Sequence, residues 1–141
     1  MEAKRYLEEY KKIDTMILNK TIEAEQWEAL AQSITANMGG EKVQSSSNQQ
    51  KMQDYICNKI DIEAEIDALI AKKQDITDTI ALLPLADYNI LHKEYIQNKP
   101  LKTIALEVGI EYKNLTTIKG RAMQSLQKIL DDREKVLLSV T

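Results

Sequence analysis

Few side chains in this sequence are equipped for covalent or metal chemistry. His92 is the single histidine and Cys57 the single cysteine among 141 residues. They fall in different predicted helices, so neither a nucleophile–base pair nor a metal-ligand spacing arises from them. The run Asp61, Glu63, Glu65, Asp67 invites a cation site. Residues two apart sit about 200° around a helix, however, so these carboxylates spread over two faces and read as a solvated surface. Gly39-Gly40 has no preceding strand and no following Gly-Lys-Ser/Thr, which a phosphate-cradling loop needs. The sequence therefore predicts no catalytic residue, no metal and no cofactor. What remains is recognition by charge and hydrogen bond, and it concentrates in residues 101–130.

Leu101 to Ile118, LKTIALEVGIEYKNLTTI, has the spacing of two short helices joined by a tight turn. Ile104, Ala105 and Val108 share one face of the first helix. Leu115 and Ile118 recur at helical spacing on the second. Ala105 is small where the second helix must cross close above it. Gly109 suits a turn position with positive φ, which a side chain makes costly. On the second helix Leu115, Ile118 and Ala122 face inward, leaving Lys113, Thr117, Gly120 and Gln124 outward, with Thr116 and Arg121 beside them. A helix of this kind reads bases from its N-terminal half. Lys113, Thr116 and Thr117 are assigned to base edges, and Tyr112 to a base edge or phosphate. Lys119 and Arg121 are placed for phosphates. Lys102 and Thr103, opening the preceding helix, are candidates to hold a backbone phosphate.

The charge distribution agrees with that assignment. The net charge is −3, which argues against a generally basic nucleic-acid binder. Residues 1–83 hold 10 basic and 15 acidic residues, whereas residues 84–130 hold 7 and 4. From Tyr112 to Leu130 there is no acid at all. A positive helix is what a phosphate backbone attracts, although a solvated basic face is common on any helix.

The elements that must position these residues are all helical. Gly and Pro are scarce, at four and two, and helix formers dominate. Residues 2 to about 37 carry a heptad-like seam of Ala3, Tyr6, Tyr10, Ile13, Ile17, Ala24, Trp27, Ala31 and Ile34, interrupted by Lys20. Residues 38–49, with two glycines and three serines, predict a flexible connection. Residues 50 to about 82 carry a second seam of Met52, Tyr55, Ile62, Ile66, Leu69, Ile76, Ile80 and, just beyond, Leu83, with Lys59 and Lys73 at two seam positions. Nearly equal lengths joined by a flexible loop predict a long antiparallel helical hairpin, coiled-coil-like, over 1–83. The seam closes within one chain or against a second copy. Pro84 ends it. Helices over 85–97, about 101–108 and from near Glu111 through Leu130 toward Leu138 then form a helix-turn-helix domain over 84–138. One cysteine excludes an internal disulfide. With no apolar run near 18 residues and a charged start, MEAKRYLEEYKK, the chain reads as cytosolic, with no membrane partner.

Residues 84–130 resemble the C-terminal promoter-reading domain of bacterial sigma factors, region four. The likeness lies in Ile104-Ala105, Gly109-Ile110 and Arg121-Ala122-Met123, with Leu126 and Leu130 continuing the stripe. The layout of the whole chain resembles a family of small phage and prophage proteins of Gram-positive bacteria, often described as phage transcriptional regulators. The resemblance implies a sequence-specific, non-enzymatic DNA-binding regulator acting in a bacterial host cell. Its partners would be double-stranded DNA and RNA polymerase, with the hairpin serving dimerisation or polymerase contact. The competing reading is a protein-interaction or assembly module, such as a polymerase accessory or small-terminase-like packaging protein, with weak or no autonomous DNA reading.

Overall fold

The structure is a computed structural model and describes residues 1–38 and 46–140. All regular structure among the described residues is helical. Helices α1 (Ala3–Met38) and α2 (Ser46–Ile80) are long. They are followed by α3 (Leu85–Leu91), α4 (Leu101–Val108) and α5 (Tyr112–Val140). A π-helical turn, His92–Ile96, prolongs α3. Residues 39–45, most of the expected flexible connection, lie outside the described residues. Beyond them α2 begins at Ser46 rather than near 50. Serine and asparagine disfavour helix interiors but suit a first turn, where backbone N–H groups have no helical partner.

Two compact units divide the chain. One, the helical pair, is Ile13–Ala71. Within it Lys20 Nζ meets Glu65 Oε2 at 2.6 Å, Lys59 Nζ lies 3.6 Å from Glu28 Oε1, and the Trp27 and Tyr55 rings stand 5.6 Å apart. Late residues of one helix thus meet early residues of the other, so the two run in opposite directions. Lys20 and Lys59 do not break the pairing, because each is neutralised across it. Only Ile13, Ala24, Ala31 and Leu69 are buried among the described residues of this unit.

The other unit, the body, joins Met1–Lys12 to the chain from Lys72 onward. It therefore holds residues 84–138 together with the start of α1 and the end of α2. The Tyr6 hydroxyl lies 2.7 Å from Asp75 Oδ2 and 3.0 Å from Thr79 Oγ1. Arg133 Nη2 on α5 donates to Asp75 Oδ1 at 2.8 Å. Gln127 accepts from the Ala3 amide at 2.7 Å and donates to the Met1 carbonyl at 2.9 Å, satisfying groups that the start of α1 leaves unbonded. Lys73 sits over the Tyr10 ring, 4.9 Å from its centroid.

Pro84 and Pro100 precede α3 and α4, where a missing N–H is harmless. The predicted regular helix over 85–97 instead turns π-helical at His92, and the Gln97 amide reaches back to the His92 carbonyl at 3.0 Å. Asn98 follows with φ 57°, a left-handed conformation that asparagine tolerates better than most residues.

Candidate nucleic-acid interface

Helix α4, residues 109–111 and the first half of α5 form the candidate site. Ile90, Ile104, Ala105 and Leu115 are buried together, with Leu101, Val108, Ile110 and Ile118 packed against them. Ile104 and Leu115 have no exposed surface. Burying each side chain is worth about 2 kcal/mol, which fixes the angle at which α5 leaves the turn. Gly109 adopts φ 71°, and the amides of Gly109 and Ile110 both bond the Ala105 carbonyl, at 3.0 and 3.1 Å. This is a Schellman-type stop, with Ile110 supplying the apolar contact that accompanies it. A Cβ on Gly109 would meet nothing within 4 Å. Glycine is needed there for its backbone angle and not for space.

Helix α5 begins with the Leu115 amide bonding the Glu111 carbonyl at 2.9 Å. The amides of its first turn therefore point outward, at the positive end of the helix dipole. Lys113, Thr117, Gly120, Gln124 and Lys128 line its exposed face, with Tyr112, Asn114, Thr116 and Arg121 exposed alongside. No acid interrupts this face. Thr116 and Thr117 both donate their hydroxyl protons to the Lys113 carbonyl, at 2.7 and 3.2 Å. Outward they offer a methyl group and acceptor lone pairs, a combination suited to a thymine methyl or a base amino group. Asn114 was not among the expected contacts, yet its exposed amide sits in the first turn beside Lys113. Its signal in the sequence was only its position in the N-terminal half of the helix.

The cations divide into two groups. Lys93 and Lys99 both pair with Glu107, at 2.9 and 2.7 Å, and Lys99 first, then Lys93, hold the Glu107 carboxyl below its ordinary range. Lys119 Nζ donates to Glu94 Oε1 at 2.7 Å and lies over the Tyr95 ring. Burial works to lower the Lys119 pKa, but the Glu94 contact outweighs it and the net shift is upward. Glu94 Oε2 is buried without a hydrogen-bond partner among the described residues. Arg121 Nη2 bonds Asp87 Oδ1 at 2.8 Å, and that aspartate is almost fully buried. Two of the residues expected at phosphates, Lys119 and Arg121, are thus engaged within the body. Lys102, Lys113 and Lys128 carry no ion pair among the described residues. Lys102 and Thr103 are exposed on the first turn of α4, as a phosphate contact requires.

No group of His, Cys, Asp and Glu among the described residues is placed to hold a metal ion, and no described helix is long and apolar enough to cross a membrane. No family model matches the chain, and neither a curated protein nor a solved structure is found to be similar to it.

Proposed function

We propose that this chain is a non-enzymatic, sequence-specific DNA-binding transcription regulator of the phage type. In this reading α4 and α5 act as a sigma region-four-like helix-turn-helix, with the start of α5 in the major groove. The antiparallel hairpin of α1 and α2 serves dimerisation or RNA polymerase contact, and the site of action is the bacterial cytoplasm. One observation carries the reading: an exposed face over the Tyr112–Leu130 part of α5, free of acids and opening with Lys113, paired with outward amides and with Lys102 and Thr103 on the neighbouring helix. Lys113, Asn114, Thr116 and Thr117 read bases, and Lys102 and Lys128 hold phosphates.

Three unpaired cations set the electrostatics. Each phosphate neutralised contributes about −0.9 to the slope of log affinity against log salt. One copy should therefore give a slope of roughly −2 to −3. The test is a salt titration against fragments of the neighbouring genome and random DNA, with Lys113→Glu in parallel. Preference for one fragment, lost in the variant, supports the reading. Equal, weak binding of every fragment by both proteins overturns it. The internal pairing of Lys93, Lys99, Lys119 and Arg121 favours the second reading, a protein-interaction or assembly module, because it leaves few charges for DNA.

A further inference from the structure

The helical pair leaves an apolar row uncovered. On α2, Ile56, Ile60, Ala64 and Ala68 follow at four-residue steps, all exposed, with the two isoleucines 40% and 58% accessible. The row borders a groove of about 420 Å³ in which Trp27, Ala31, Met52, Ile56 and Ile60 alternate with polar residues, Glu28, Lys59 and Glu63 among them. Exposed apolar surface of this kind belongs against another layer, and the unit itself buries few side chains.

We propose that the occupant is a second copy of this chain, with α2 lying antiparallel against α2 of its partner about a twofold axis. The order of residues along the row carries the argument. Its first half is large (Ile56, Ile60) and its second half small (Ala64, Ala68). Reversing one copy sets Ile60 over Ala64 and Ile56 over Ala68, in both directions at once, which is the self-complementarity that a twofold contact requires. A parallel pairing would set large against large and small against small. In the antiparallel register Gln53 faces Ala71, and Cys57 faces Asp67. A contact from 53 to 71 is about 27 Å long and buries roughly 700–1,000 Å² in total, less than the roughly 1,200 Å² at which stable specific interfaces begin and in the range of transient ones. The dimer is therefore weak and concentration-dependent. Ile13–Ala71 holds ten acidic and four basic residues, so two copies repel, and salt should strengthen the pairing.

This deepens the dimerisation part of the proposed function, and its failure is separable from that of DNA reading, because salt weakens DNA binding and strengthens this contact. Sedimentation velocity of the full chain from about 1 to 200 μM, in low and high salt, should show a reversible dimer favoured by salt. Ile60→Asp, at an exposed position, should weaken it at least tenfold without loss of helicity by circular dichroism. Under mild oxidation Asp67→Cys should give a covalent dimer through Cys57 of the partner. The wild type should not, because its two Cys57 Cα atoms lie roughly 15 Å apart along the axis. A monomer at every concentration, a dimer indifferent to Ile60→Asp, or rapid Cys57–Cys57 crosslinking of the wild type overturns the proposal.

Discussion

Replacing Arg121 by alanine separates two roles that sequence position alone leaves merged. If Arg121 chiefly contacts phosphate, its loss weakens DNA binding and leaves the fold untouched. The structure instead joins it to Asp87 at 2.8 Å, with the aspartate side chain 2% exposed and the arginine 63% exposed. Removing one partner of a fully buried pair costs about 3–5 kcal/mol, since a charge is left without compensation. Here the arginine end is wet, and solvent screening reduces the loss to about 2 kcal/mol. For a chain of this size that corresponds to a fall in Tm of roughly 6–8 °C. Thermal and urea unfolding of Arg121→Ala, Asp87→Asn and the double variant give the coupling directly. In the Asp87→Asn background Arg121→Ala should cost under about 0.5 kcal/mol. A loss that small in the wild-type background would refute the reasoning and return Arg121 to the phosphate contacts.

Gly109→Ala should cost about 1 kcal/mol through its left-handed backbone alone, whereas Gly120→Ala, in open space on a helix, should stabilise by up to about 1 kcal/mol; denaturant midpoints check both. If the α5 face meets DNA, Gly120→Ala should also lower affinity, read in the same binding assay. Glu94→Gln should release Lys119 and raise DNA affinity a few-fold, with a steeper salt slope; unchanged affinity and slope would show that Lys119 does not reach phosphate. The Arg133 hydrogen bond, aided by that of Tyr6, holds the Asp75 carboxyl below its ordinary value against the opposing effect of burial. A depressed carboxylate contributes stability above the unfolded pKa and loses it as pH falls through the folded one. The gap in Tm between wild type and Asp75→Asn should therefore be full at neutral pH and close below about pH 4.

Much of this architecture was legible wherever local chemistry decides. Pro84, Pro100 and Gly109 act at single positions, and α4 runs over the predicted 101–108. The seams of α1 and α2 follow periodicity, and Ala105 is buried where the crossing helix demanded a small residue. The features that escaped depend on residues far apart in sequence. Lys119 meets Glu94, and Arg121 meets Asp87, across separations no helical repeat encodes. The π turn at His92–Ile96 has no signature in composition, because the same residues suit an α-helix. The packing of residues 1–12 with the C-terminal helix is likewise a long-range choice. Periodicity shows that Tyr6 faces a partner and does not name Asp75, Thr79 and Arg133.

The Tyr6–Asp75–Arg133 contact also bears on the order of events during folding. Tyr6 and Arg133 lie 127 residues apart in the chain, so the body cannot close until α5 has been made. Bringing its two distant segments together across about 60 intervening residues costs roughly 3–4 kcal/mol of loop-closure entropy. Antiparallel pairing of α1 with α2 removes that cost beforehand, by delivering Tyr10 beside Lys73 while α5 is still unmade. In this sense Ile13–Ala71 acts as a built-in clasp for a discontinuous body. Deleting one heptad from each of its helices would keep the seam in phase and leave the clasp working. Deleting a heptad from one helix alone would slide Tyr6 away from Asp75 and leave the last helix without its partner.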